Sequence, residues 1–309
     1  MNMKSRLFAV GDLNVDILQE LASKPVFGEE HDLQALAISI GGNAANFAVI
    51  GSKLGLKPHL VSVIGNDFAT GFLRKKLSEA NVKTSLVKSK KQNAFSIILV
   101  DKRGRRCIQS VKQCFQDVTS KKFAKMLLPK LKQGDIVFFG GFYHFKNLRP
   151  GFRELLAKAK KRGATICFDT CFDSLGKWDI NRFLPFIDYL FVNDLELKHI
   201  ASGRTMKQRV EALFSKGTRI VAVKQEARGA TLFVKGFSPN HFSSVANKVV
   251  DTTGAGDAFN AGFSFGLLQG WPLEKCMVAG NFVAAKKIGV HGLEAPTAKK
   301  LESFVERNS

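Results

Sequence analysis

Acidic residues are scarce in this chain: Asp plus Glu number 26 against 47 Lys plus Arg, a formal net charge of +21. That balance favours anionic partners such as nucleotides, sugar phosphates or nucleic acid. The basic residues are nevertheless dispersed, in "LRKK" (73–76), "KSKK" (88–91), "DKRGRR" (101–106) and "KAKKR" (158–162). A nucleic-acid binder more often gathers them into one stripe or helix, so a solvated basic surface is the plainer reading. Long apolar runs are missing too. The longest, "IVFFGGFY" (136–143), is strand-sized and far from a membrane span. The apolar run near the N-terminus is too short for the core of a secretion signal, and a cytoplasmic protein is expected.

Three chemistries lack their residues. Cys107, Cys114, Cys167, Cys171 and Cys276 are odd in number and form no C-x-x-C pair, which leaves no zinc site or disulfide framework. Buried or idle thiols are expected. His31, His59, His144, His199, His241 and His291 do not recur at metal-ligand spacing, so no histidine chemistry is assigned. No G-x-x-x-x-G-K-[ST] loop occurs, which excludes a P-loop ATPase. Internal repeats, low-complexity tracts and linkers are also absent.

What the chain does have is a strand–helix rhythm. "RLFAV" (6–10), "HLVSVI" (59–64), "DIVFFG" (135–140), "TICFD" (165–169), "YLFVN" (189–193) and "RIVAVK" (219–224) read as strands. Between them, "NAANFAVIGSKLG" (43–55), "DFATGFLRKKLSEA" (67–80) and "FRELLAKAKKRG" (152–163) have helical spacing. Near-continuous apolar strands are those buried on both faces, so the pattern predicts an α/β, doubly wound, mostly parallel sheet flanked by helices. Two stretches break the rhythm: 13–40 carries little helix pattern, and 93–111 reads as two strands around a turn at 101–104. Together they predict a small β-rich lid on one large domain.

Within this frame, "DTTGAGDAFNAGF" (251–263) sets small residues before an acid and an apolar helix, predicted over 258–270. Such a loop at the carboxyl end of a doubly wound sheet exposes backbone N–H groups and the positive end of a helix dipole. Gly254, Ala255 and Gly256 would let a phosphate approach the backbone, and Asp257 would accept a proton from an attacking hydroxyl. On spacing alone, an aspartate that simply caps a helix fits equally well. "GGNAANFA" (41–48) also opens a helix with glycines and carries Asn43 and Asn46. "GDLNVD" (11–16) follows the first strand with Asp12, Asn14 and Asp16, suited to sugar hydroxyls.

Together these residues resemble the ribokinase-like, or PfkB, family of carbohydrate kinases. "DTTGAGDAFNAGF" is similar to the family's C-terminal signature and "GGNAANFAVIGSKLG" to its N-terminal one. "DTCFDSLGKW" (169–178) and "NDLE" (193–196) resemble family motifs in the expected order, so the likeness covers nearly the whole chain. It implies a single ribokinase-like domain over 1–309 with its lid at about 13–40 and 93–111. It implies ATP and Mg²⁺ as cofactors, Asp257 as the base, and Gly254, Ala255 and Gly256 as the anion hole. Asp16, Gly42, Asn43 and Asn46 match acceptor-binding positions, with Asp12 and Asn14 as neighbours. Asn193 and Glu196 match the motif that organises Mg²⁺ and phosphate through water. Lys224 and Gly229 match the nucleotide-side strand and loop, and Asn281 the adenine pocket. Some members use a monovalent cation such as K⁺, and Asp251 and Thr253 match part of that site. One departure stands out: Glu226 lies where the family usually has glycine.

The implied reaction is ATP-dependent phosphorylation of a hydroxyl on a small sugar-like acceptor, with a fructose- or ribose-type sugar first. A nucleoside is the second acceptor class, since Phe47 and other aromatics would stack on a base, although core packing is the plainer role for them. A phosphorylated sugar is third, with Arg103, Arg105 or Arg106 of the "DKRGRR" turn as phosphate ligands or simply a solvated hairpin tip. A homodimer through the lid is the expected assembly. A non-catalytic binder recruited to nucleic acid by the net charge is the reading from another class, and the intact Asp257 and anion-hole residues weigh against it.

Overall fold

Leu7 and Ala9 face one apolar layer while Phe8 and Val10 face the other, and all four are buried. This double burial explains why the strands read as unbroken apolar runs: a strand with helices on both sides has no polar face to display. The structure, a computed structural model, describes residues 5–308 except 22, 24, 32, 34 and 102–104. Its strands are β1 (Leu7–Gly11), β2 (Asn14–Glu20), β3 (Ala35–Gly41), β4 (His59–Ile64), β5 (Lys83–Lys88), β6 (Ala94–Val100), β7 (Arg106–Val111), β8 (Ile136–Gly140), β9 (Thr165–Asp169), β10 (Tyr189–Asn193), β11 (Ile220–Lys224), β12 (Ala230–Val234) and β13 (Asn240–Phe242). Its helices are α1 (Asn43–Lys53), α2 (Ala69–Glu79), α3 (Ser120–Leu127), α4 (Phe152–Lys161), α5 (Asp194–Ile200), α6 (Met206–Phe214), α7 (Ala255–Leu268), α8 (Leu273–Ile288) and α9 (Ala298–Asn308).

The main sheet runs β13-β12-β11-β10-β9-β8-β1-β4-β5. Pairing is parallel from β11 to β5, and β12 and β13 add an antiparallel edge. Helices α3 to α6 supply the layer on the Phe8 side, and α1, α2, α7, α8 and α9 the layer on the Leu7 side. The chain runs outward from β1 in one direction through β4 and β5, then returns to the other side of β1 through β8. The crevice for a ligand in such a sheet opens where the strand order reverses, beyond the carboxyl ends of β1 and β8.

A second sheet, ordered β3-β2-β6-β7, takes its strands from the two stretches that break the sequence rhythm. Its register opposes Asp16 to Ser39 and to Ser96, which lines polar side chains along one face. Leu36, Ile38 and Ile97 are exposed on the other. Among the described residues, no helix is long and apolar enough to cross a membrane.

The largest fully buried side chains are all phenylalanine. Phe47 of α1 stacks on Phe138 of β8, with ring centroids 3.9 Å apart and both rings fully buried. This contact bolts the helix carrying Asn43 and Asn46 onto the middle of the sheet, so Phe47 is a core residue and not a stacking surface for a base. Phe138→Ala is expected to cost about 3–5 kcal/mol, read as a lower midpoint in urea or thermal unfolding.

Candidate active site

The site is assembled from strand ends. Asp12 follows β1, His144 closes a short turn after β8, and Asp169 ends β9. Asn193 ends β10, and Lys224 ends β11 directly opposite it. Parallel register brings these positions to one edge of the sheet, where α1 and α7 also begin.

At the end of β1, Asp12 is almost wholly buried. Its Oδ1 accepts from the Ala44 N–H at 3.0 Å and its Oδ2 meets His144 Nδ1 at 3.0 Å. Burial pushes this carboxyl up, but the His144 hydrogen bond and charge and the Ala44 N–H outweigh it, so its pKa lies below the ordinary value. Asp16 has less help. Burial raises it to about 6, opposed by the Asn14 side chain, which donates to its Oδ1 at 2.5 Å. Gly42 has φ 99°, and a Cβ there would sit 2.7 Å from the Asp12 carbonyl oxygen, so only glycine lets the chain pass between β3 and α1.

Asp257 lies at the centre. Its Oδ1 accepts from Asn43 Nδ2 at 3.0 Å and its Oδ2 from Asn46 Nδ2 at 2.9 Å. The two amides matched to the acceptor's hydroxyls thus clamp the carboxylate. Burial, reinforced by the charge of Asp169, drives its pKa well up; the Asn46 hydrogen bond and the charge of Lys224 pull the other way. The helix begins earlier than the 258 expected from the sequence. Gly254, at φ 75°, is the residue before α7, and Ala255, Gly256 and Asp257 form its first turn. Glycine can turn the chain left-handed at low cost, which starts the helix three residues sooner. The Ala255 N–H is turned onto the Thr252 carbonyl at 3.2 Å, so it does not aim freely at the crevice.

At the end of β11, Lys224 Nζ meets Asp169 Oδ2 at 2.6 Å, and Asn260 Nδ2 donates to the same oxygen at 2.6 Å. A Cβ on Gly256 would lie 3.2 Å from this ammonium, so Lys224 stands directly beside the first turn of α7. Burial pulls Lys224 down, but the charges of Asp169 and Glu196 more than offset it and hold it above the usual range. Asn193 and Glu196 form a reciprocal cap: Asn193 Oδ1 accepts from the Glu196 N–H at 2.8 Å, and Glu196 Oε2 from the Asn193 N–H at 2.9 Å. Burial and Asp169 raise the Glu196 carboxyl to about 7. Asn281 donates to the Phe242 and Ser243 carbonyls, tying α8 to the end of β13. Glu226 is exposed with φ 51° and Gly229 follows at φ 98°, so the nucleotide loop keeps a left-handed turn despite the glutamate.

Several sequence readings need correction. Histidine is not idle, since His144 holds Asp12. Asp169 and Asn260 sit inside the cluster, although sequence reasoning gave neither a role. Arg105 pairs with Asp101 at 2.7 Å, and Arg106 donates to Thr252 Oγ1 and to Thr253 Oγ1; both arginines are exposed. Arg103 lies outside the described residues. No group of three or more His, Cys, Asp or Glu among the described residues could hold a metal ion.

The chain matches the pfkB family carbohydrate kinase description over residues 4–300. The chain belongs to this family. It is 25% identical over 313 residues to the ATP-dependent 6-phosphofructokinase of Thermoanaerobacterium thermosaccharolyticum, covering 98% of this chain and 94% of that protein. Its fold resembles that of Arabidopsis thaliana ribokinase complexed with ribose and ATP, with TM-score 0.82, 24% identity and coverage of 98% and 99%. A putative ribokinase II from E. coli, in complex with ATP and Mg²⁺, gives TM-score 0.82 at 18% identity, with coverage of 98% and 100%. The family makes the protein an ATP-dependent sugar or nucleoside kinase.

The balance of charges on Asp257 is directly testable. Carboxyl titration by NMR or infrared difference spectroscopy should find Asp257 above the ordinary aspartate range. Asn46→Ala should move it further up and Asp169→Asn should bring it down. The opposite order would mean that neither neighbour sets its proton affinity.

Proposed function

We propose that this kinase transfers the γ-phosphoryl group of ATP to a hydroxyl of a small sugar-like acceptor, a free fructose- or ribose-type sugar first, with Asp257 as general base. The observation that carries this reading is the buried Asp257 carboxyl, clamped by Asn43 and Asn46 and standing at the first turn of α7. A raised pKa makes a carboxylate a stronger base towards a hydroxyl. Asn46 Oδ1 is buried and has no hydrogen-bond partner among the described residues, so it is ready to accept from a sugar hydroxyl. Asp12, Asn14 and Asp16 supply further acceptors on the same side.

Asp257 takes the acceptor's proton as the hydroxyl oxygen bonds to the γ-phosphorus and ADP leaves. The Gly254 and Gly256 N–H groups at the start of α7 and the Lys224 ammonium stabilise the charge on the transferring group. Mg²⁺ bound with the nucleotide neutralises its phosphates. Closure of the small sheet over the acceptor limits transfer to water. The exposed row Leu36, Ile38 and Ile97 supports a homodimer formed through that sheet.

A second acceptor class has its own observation. Lys112 is largely withdrawn from water near Asp12, Asp173 and Cys171, and burial lowers its pKa. No hydrogen bond or ion pair of its ammonium occurs among the described residues. A half-buried cation beside the acceptor pocket favours a phosphate- or carboxylate-bearing acceptor. The similarity to a 6-phosphofructokinase agrees with that class.

An ADP-release assay with MgATP against free sugars, sugar acids, nucleosides and sugar phosphates tests both. Asp257→Asn should lose about 100-fold or more in kcat while ATP binding, measured by calorimetry, stays within a few-fold. Turnover near wild type in that variant sinks the base assignment. The reactive form is the carboxylate, so kcat/KM should fall as pH drops through the raised pKa, with its acid limb above the ordinary value of about 3.9. Lys112→Ala should raise KM at least about tenfold for an anionic acceptor and leave a neutral sugar unaffected. Equal effects on both remove the second class.

A further inference from the structure

The turn that leads into the anion hole is held by a charge from inside the protein. Val250 and Asp251 both donate their N–H groups to the Ile288 carbonyl, at 2.7 and 3.1 Å. Asp251 Oδ1 accepts from the Thr253 N–H at 2.8 Å. The other two oxygens of Asp251, its backbone carbonyl and Oδ2, converge on Lys287 Nζ at 2.9 and 2.7 Å. The Lys287 side chain is 0% exposed, although it belongs to the last turn of α8, where a lysine ordinarily reaches water.

Asp251 and Thr253 are the residues whose resemblance implied a monovalent cation such as K⁺. They do not fit one here. The carbonyl and carboxylate oxygens that would replace an ion's hydration shell already bind an ammonium. The Thr253 hydroxyl is turned to Arg106 of the small sheet, at 2.9 Å. A second monovalent charge on the same two oxygens would face Lys287 within a few ångströms, in a site with little water to screen it.

We propose that Lys287 is a built-in monovalent cation, so that this kinase needs no K⁺ for full turnover. This deepens the kinase reading and rests on it. Lys287 is a positioning residue. Its ammonium neutralises Asp251, fixes the turn over 250–253, and so sets the direction of the N–H groups that follow at Gly254 and Gly256. It also adds positive charge close enough to be felt at Asp257. A bound K⁺ would do the same work from the same oxygens, but with an affinity and a dependence on salt composition that a tethered ammonium lacks.

The test compares wild type with Lys287→Met, the latter chosen to keep the chain's volume and remove its charge. Turnover and melting temperature are measured in tetramethylammonium chloride and in KCl, NH₄Cl or LiCl at equal ionic strength. Wild type should change less than about twofold between salts. Lys287→Met should lose about 100-fold or more in kcat without a small cation. K⁺ or NH₄⁺, but not Li⁺ or tetramethylammonium, should restore at least about tenfold of it and raise its melting temperature. Strong K⁺ stimulation of wild type overturns the proposal. So does a folded Lys287→Met that no cation rescues or stabilises, since that means a purely structural lysine. If the variant does not fold in any salt, the wild-type comparison decides alone. The melting shifts with K⁺ and with MgATP need no acceptor, so they stand even if the acceptor panel finds no substrate, which would count against the kinase reading instead.

Discussion

The constraint on which this site depends is a buried carboxylate that forms no ion pair among the described residues. Asp257 is clamped by two neutral amides, while the nearest ammonium, Lys224, makes its ion pair with Asp169. Burying a charge without pairing it costs several kcal/mol, and two amide hydrogen bonds return only part of that. The remainder appears as proton affinity. Were Lys224 paired with Asp257 instead, the carboxylate would be comfortable and a poor base. The geometry of Asp169 therefore matters twice: it draws the ammonium aside, and its own charge raises the Asp257 carboxyl further.

Everything else in the site follows from where strands stop. β1, β8, β9, β10 and β11 run parallel and stop along one edge of the sheet, so residues far apart in sequence meet there. Asp257 bridges the two halves of that edge, with α1 amides on one side and the end of β11 on the other. The small sheet is coupled to the same point, because Arg106 at the start of β7 reaches the hydroxyls of Thr252 and Thr253 just ahead of α7. The start of α1, the end of β11 and the small sheet all reach the segment that leads into Asp257.

Much of this was legible in the sequence because glycine and apolar periodicity report backbone needs directly. Gly41 and Gly42 before "NAAN" mark close approaches that a larger residue would block, and Gly254 before Asp257 marks a left-handed turn. The parts that escaped are pairings across the fold. Asp169 and Lys224 are both visible as strand-end residues, but their contact requires knowing that only β10 separates β9 from β11. His144 reads as a loop histidine until the β1–β8 pairing brings it to Asp12. Lys287, in "AAKKIG", looks like any basic residue at a helix C-terminus, where the helix dipole favours it. Nothing in its neighbours reveals that its ammonium turns inward. The sequence also ended its loop three residues late, because glycine reads as a helix breaker even where it begins one.

Glu226 shows how a departure from a family pattern can be absorbed by geometry. A glutamate in a phosphate-binding turn would repel a polyphosphate if its side chain faced the crevice. Glu226 is exposed, and its backbone keeps the left-handed conformation at φ 51° that a glycine would adopt freely. A non-glycine residue there stores on the order of 1 kcal/mol. The close approach itself falls to Gly229, where a Cβ would lie 2.1 Å from the Phe242 carbonyl oxygen. Neighbouring Arg228 pairs with Asp194 at 2.5 Å, which ties the turn to the start of α5. The strand end just before this turn keeps the Lys224–Asp169 ion pair.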